Sequence, residues 1–299
     1  MKNPKGIIYA LISSGTFGLI PLFTIELMTD NQMELSSILF YRFFFSALII
    51  GAICLIRKEN FRITRRQLYI IAFLGANYML TSFCLQYSYK LIPSGVATTI
   101  HYLYPIAVVF FMTALFKESK SPMLIAASVM SLAGVGLLCW DSSGTLDMTG
   151  VLIASITIFT YAITIVTINK SSVSAVSSLI LAFYMFLFST VFLFFINNVT
   201  SVGIQPITEA SAGFRLFLLA FLPTAVSNLT LILAVRYAGS IITSILGSME
   251  PLVAVAVGVL YFSESFKMNT FLGILLIIFA VTIVIITQNK KAKNISKTA

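Results

Sequence analysis

Residues 94–119 read SGVATTIHYLYPIAVVFFMTALFKES, and residues 240–265 read SIITSILGSMEPLVAVAVGVLYFSES. The two stretches align without a gap at an offset of 146. Ser94, Pro105, Val109, Phe116, Glu118 and Ser119 meet Ser240, Pro251, Val255, Phe262, Glu264 and Ser265. Pro and Glu are scarce in this chain, so a Pro followed 13 residues later by Glu-Ser in both copies carries most of the signal. The flanks agree. Lys90 falls on Arg236, Gly6 on Gly150 at an offset of 144, and Ser36-Ser37 on Ser177-Ser178. Self-similarity at a fixed period marks a duplicated structural unit.

Composition says what kind of unit it is. Of 299 residues, 59% are hydrophobic and 10% are charged, against about 25% charged in an average soluble domain. The mean hydropathy is +1.00. So few charges cannot make a polar skin, which excludes a soluble globular fold, a disordered chain and a disulfide-rich secreted scaffold. Cys54, Cys84 and Cys139 sit inside apolar runs without metal-ligand spacing and read as packing residues. No metal or cofactor is expected.

A membrane-spanning helix needs about 20 mostly apolar residues. Stretches of that kind fall at 5–27, 34–56, 66–89, 94–116, 121–140, 148–169, 175–197, 213–235, 239–262 and 268–288. They are too long and too uniform for barrel strands. Backbone in lipid must satisfy its own hydrogen bonds, so all should be helices. The chain is therefore expected to be an all-α membrane protein with ten transmembrane helices. The connections leave no room for a catalytic domain, and no enzyme is expected. The first apolar run is too long for a signal peptide and lacks a small-residue cleavage site, so it reads as a retained helix.

Charge placement orients the chain. Fifteen Lys and Arg residues fall in one set of loops, including Arg57, Lys58, Arg62, Arg65, Arg66 and Lys290. The alternate loops and their borders hold Lys90, Arg215 and Lys267, among carboxylates such as Asp30, Glu34 and Glu209. The positive-inside rule puts both termini in the cytoplasm and requires an even number of spans. The net charge of +9 is thus a topology signal, and no nucleic-acid partner is expected. Residues 1–142 form the first five-helix repeat and 143–299 the second, with a short basic tail. Five is odd, so the second repeat crosses the membrane in the opposite sense. Inverted repeats are a transporter architecture.

The two halves resemble the EamA domain of the drug/metabolite transporter superfamily. The resemblance rests on Gly6, Ala10 and Phe17-Gly18 in the first helix, and on Gly150, Ala154 and Tyr161-Ala162 in the sixth. It extends to Leu103-Tyr104-Pro105 with Lys117-Glu118, and to Met249-Glu250-Pro251 with Ser263-Glu264. Arg42 in Phe40-Tyr41-Arg42-Phe43 fits, as do Gly134 and Gly273, with Ala127 and Ala280 at their partner positions. Phe17 stands where many members have Trp. The resemblance covers nearly the whole chain. It implies two inverted bundles around a central cavity and ATP-independent transport of small metabolites, often export of amino acids. It also implies a bacterial inner membrane.

Ionisable groups inside hydrocarbon are costly, so each is a functional candidate. Arg42, His101 and Glu250 are the three. Arg42 can hold a substrate carboxylate by a bidentate fork, pair with Glu250, or snorkel outward. Glu250 suits reversible protonation or a substrate ammonium, or else a structural ion pair with Arg42. His101 can relay protons or sit neutral against a backbone carbonyl. Asn77, Tyr78, Tyr104, Tyr161 and Asn228 mark polar faces that look inward. Pro105 and Pro251 each remove an N–H and crowd the carbonyl four residues back, at His101 and Gly247. Each is expected to kink its helix and free that oxygen, as a hinge or gate. Glu118 and Glu264 read as corner clasps.

The expected function is a secondary transporter that exports a small amino-acid-like metabolite by alternating access, with proton coupling through Glu250. Alternatives are a nucleotide-sugar or sugar-phosphate exchanger, or a non-transporting scaffold or sensor. The partners are the solute and the lipid bilayer, with the protein a monomer or homodimer. No Walker-type phosphate loop supports ATP-driven pumping.

Overall fold

The computed structural model describes residues 5–92, 97, 100–117, 122–138, 147–199, 203–261 and 268–298. Lys2, Ser94, Glu118, Ser119, Lys120, Cys139, Asp141, Phe262, Glu264, Ser265 and Lys267 lie outside them. Among the described residues every regular element is helical. In the first half these are α1 (Lys5–Phe17), α2 (Ile20–Thr29), α3 (Leu35–Ile56), α4 (Arg65–Ser88), α5 (Tyr104–Ala114) and α6 (Pro122–Leu138). In the second half they are α7 (Met148–Lys170), α8 (Ser178–Val199), α9 (Ala210–Ala220), α10 (Ser227–Ala238), α11 (Ser240–Leu246), α12 (Met249–Leu260) and α13 (Met268–Thr298). A 3₁₀ turn, Ser172–Ala175, precedes α8, and a π-helical segment, Phe221–Val226, joins α9 to α10.

Among the described residues six segments are long and apolar enough to cross a membrane: Lys5–Thr29, Leu35–Ile56, Arg65–Ser88, Met148–Lys170, Ser178–Val199 and Ala210–Ala238. Shorter apolar helices occupy Tyr104–Ala114, Ile125–Leu137, Ser240–Val253 and Phe271–Ile283. Their outward faces carry exposed Phe194, Phe195, Phe110 and Leu48. So much exposed apolar surface suits lipid and would be a liability in water. This is a multi-pass membrane protein.

The helices pair in a pattern that repeats between the halves. The α1 helix runs antiparallel to α10. A Cβ at Gly6 would lie 2.6 Å from the Ala238 nitrogen, and further along the Ser13 hydroxyl donates to the Ser227 carbonyl at 2.8 Å. The α7 helix runs antiparallel to α4 in the same way. A Cβ at Gly150 would lie 2.7 Å from Ile92 Cγ2, and the Thr81 and Thr160 hydroxyls pair at 2.7 Å. The two glycines aligned in the sequence thus make matching close approaches. α3 packs on α8, with Phe43 stacked on Phe186 at 6.3 Å. α6 packs on α13 through Gly134, whose Cβ would meet the Gly273 carbonyl at 2.9 Å.

Four expected spans are interrupted. The first breaks at Gly18-Leu19, where Pro21 opens α2. The fourth turns at Tyr102-Leu103 before Tyr104-Pro105 opens α5. The ninth turns at Gly247-Ser248 before Met249 opens α12. The eighth carries the π segment around Pro223. Proline within the first turn of a new helix costs no hydrogen bond, so Pro21, Pro105 and Pro251 sit where they are tolerated, while Pro223 lies inside a continuous helix that widens to a π turn around it. The Gly247 oxygen is not free, contrary to expectation. It accepts the Glu250 N–H at 3.0 Å, a bond made possible by the tighter turn.

Ion pairs and long side chains lock the two ends. At the Asp30 end, Arg215 reaches Glu26 at 3.0 Å and Asp30 at 3.2 Å, and Lys90 lies 3.9 Å from Glu34. At the Lys5 end, Arg236 donates to the Ser178 hydroxyl at 2.8 Å and the Val173 carbonyl at 3.1 Å. Gly239, with φ of +87°, lets the chain turn between α10 and α11 where a side chain would be strained.

Candidate functional site

The helix breaks converge on one cavity of about 90 Å³. Phe17, Gly18 and Pro21 line it from the first break, and Glu250 and Pro251 from the start of α12. Arg42 enters from α3, Tyr78 and Gln86 from α4, and Tyr161 from α7. His101 and Tyr102 complete the wall, and Tyr89 borders it at the Asp30 end. Tyr104 packs against Tyr161 of this wall from behind. Its hydroxyl donates to the Ser244 carbonyl at 3.1 Å, and its ring meets Tyr161 edge-on at 4.7 Å. The hydroxyl occupies the space that a Cβ at Gly247 would need.

Arg42 is 1% exposed, which excludes snorkelling to the surface. Its Nε donates to the Thr224 hydroxyl at 2.6 Å, and the guanidinium carbon lies 5.6 Å from the Phe43 ring centre. Thr224 in turn donates to the Leu219 carbonyl at 2.7 Å, five residues back. The π turn therefore aims this hydroxyl's lone pairs at Arg42. No ion pair within 4 Å joins Arg42 to Glu250 among the described residues. Glu250 is half-buried, with the Tyr102 hydroxyl beside its carboxylate.

The EamA-like transporter family matches residues 4–140 and again residues 148–286. The chain belongs to the EamA-like transporter family. Its members are transporters rather than enzymes, so this protein is a membrane transporter of the drug/metabolite transporter superfamily. One solved protein crystal structure is similar over 96% of this chain and 99% of the other. The TM-score is 0.82 at 15% identity, a likeness of fold. No curated protein matches the chain.

In this EamA-like transporter, Arg42, Tyr78, His101, Tyr161, Glu250 and Pro251 share the cavity wall. Asn228 stands behind it, donating to the Tyr78 hydroxyl at 2.8 Å and the Thr224 carbonyl at 2.9 Å. Asn77 is further off. It ties α4 to α7 through the Thr160 carbonyl at 2.5 Å and the Thr164 hydroxyl at 2.8 Å. Pro105 does not line the cavity.

His101 bonds a side chain where a backbone carbonyl was one expectation. Its Nδ1 lies 2.9 Å from the Thr157 hydroxyl, whose proton already goes to the Ala154 carbonyl at 2.5 Å. Nδ1 must then be the donor, which leaves Nε2 as an acceptor. Three tyrosine rings, Tyr102, Tyr104 and Tyr161, pack around the imidazole at 5.2–5.5 Å.

The sequence reading missed Gln86, Ser82 and Thr81 in the wall and Thr224 behind Arg42. Gln86 had a usable signal, being a carboxamide within an apolar span. Thr224 had none, because its role arises from the π turn.

Proposed function

We propose that this protein is a secondary transporter for a small amino-acid-like zwitterion, working by alternating access. The observation that carries the reading is the state of two charged side chains on membrane-spanning segments, Arg42 buried and Glu250 half-buried. Arg42 and Glu250 line one cavity and do not pair with each other. A buried charge without a partner is costly, and one left facing a cavity is complemented by a ligand of opposite sign. Arg42 takes the carboxylate and Glu250 the ammonium. Sugar phosphates would want several cations, and Arg42 is the only Lys or Arg among the described residues of this wall.

Alternating access draws support from the matched α1–α10 and α7–α4 packing, which lets two inverted halves exchange shapes. The basic loops put the Lys5 end in the cytoplasm. Export, and proton coupling through Glu250, complete the reading. The host membrane is then a bacterial inner membrane with both termini cytoplasmic, and the two repeats divide near residue 142.

Thermal shift of the purified protein against amino acids and sugar phosphates tests this. Stabilisation by amino acids alone is expected. Stabilisation by sugar phosphates alone would favour the exchanger instead.

A further inference from the structure

Six buried side-chain polar atoms lack a hydrogen-bond partner among the described residues: Thr24 Oγ1, Gln86 Oε1, Tyr102 OH, Ser172 Oγ, Asn197 Nδ2 and Arg236 Nε. Only Gln86 and Tyr102 belong to the cavity wall. Gln86 is 5% exposed and Tyr102 is 2% exposed. Leaving such groups unsatisfied destabilises the empty protein, and buried polar groups are otherwise almost always paired. Two of them together in one cavity fit a ligand that completes both.

Their chemistry limits that ligand. A carboxamide oxygen accepts, and a phenol both donates and accepts. Both are neutral, as are Thr81 and Ser82 beside them. Arg42 and Glu250 already account for the solute's two charges in the reading proposed above, on which this inference rests. A third solute group that meets Gln86 and Tyr102 is therefore neutral and hydrogen-bonding. The Tyr102 hydroxyl lies close to the Glu250 carboxylate, yet it has no partner at full hydrogen-bond geometry, so a solute group can engage it.

We propose that Gln86 and Tyr102 are specificity-determining residues that recognise an uncharged hydroxyl or amide on the solute's side chain. The transporter then selects polar, uncharged amino acids over apolar isosteres. A site built to pair with an O–H or N–H rejects the analogue lacking it far more strongly than an apolar pocket rejects one methylene.

The test is competition by the twenty standard L-amino acids in proteoliposomes, read as near-isosteric pairs. The pairs are threonine with valine, asparagine with leucine, and glutamine with methionine. The wild type should favour the polar member of at least one pair by about tenfold or more. Gln86→Leu and Tyr102→Phe should each collapse that preference while still transporting, with Gln86→Met as a second variant if Gln86→Leu folds poorly. The melting temperature without solute should hold or rise in Gln86→Leu, because an unsatisfied group is removed. A structural glutamine would instead lower it. Amino-acid transport by the wild type with no polar preference, or a preference unchanged in the variants, overturns this inference and leaves the transport reading standing. No competition by any amino acid overturns both.

Discussion

Arg42 is held at the cavity by Thr224, whose hydroxyl accepts its Nε–H at 2.6 Å. The bond needs the π turn of Phe221–Val226, because the threonine's own proton is spent on Leu219. Thr224→Val keeps the shape and removes the acceptor. A hydrogen bond to a charged group contributes roughly 1.5–3 kcal/mol. Solute affinity should fall about tenfold or more, while Thr224→Ser stays near wild type. Binding titration of both variants checks this. Equal affinity in Thr224→Val and wild type would show that Arg42 is placed without Thr224.

Gly247 carries no side chain because the Tyr104 hydroxyl fills that space. Gly247→Ala should therefore break the Tyr104–Ser244 contact and lower the melting temperature. Tyr104→Phe alone should cost about 1 kcal/mol, the worth of one hydrogen bond. The double variant should recover much of the loss, since the clashing oxygen is gone. Additive losses in this cycle would argue against the contact.

Gly6 and Gly150 make corresponding close approaches in the two halves, to Ala238 and Ile92. Gly6→Ala and Gly150→Ala should each destabilise by roughly 1–3 kcal/mol through overpacking. Thermal unfolding in detergent measures both. A loss at one site with none at the other would contradict the matched packing.

The long spans were legible because lipid imposes their length and polarity. Leu35–Ile56, Arg65–Ser88 and Met148–Lys170 fall within two residues of the ranges the hydropathy drew. The 94–119 and 240–265 alignment likewise pointed to Gly6 and Gly150, because a close helix approach needs glycine whatever surrounds it. The breaks at Gly18-Leu19 and Gly247-Ser248 were less visible. Hydropathy runs smoothly through them, and only the prolines hinted at an interruption. In the site, charge inside an apolar run revealed Arg42, His101 and Glu250. Asn77 gave the same signal and proved to tie two helices together, since a carboxamide serves either purpose. Gln86 and Thr224 depend on which face turns inward, which no single span discloses.

Glu250 lies beside the Tyr102 hydroxyl and faces the cavity. If it carries the coupled proton, wild-type flux should respond to an imposed pH gradient. Glu250→Gln removes the exchangeable proton, so its residual flux should not respond. An unchanged response in Glu250→Gln would exclude this carboxyl as the coupling group.

The central claim is that the cavity between Arg42 and Glu250 carries an amino-acid-like zwitterion across the membrane. Counterflow in proteoliposomes tests it most directly. Vesicles loaded with unlabelled amino acids should accumulate the labelled species through the wild type. Arg42→Gln should abolish that exchange while the protein remains folded. Absence of counterflow for every amino acid, or full exchange by Arg42→Gln, would contradict the account.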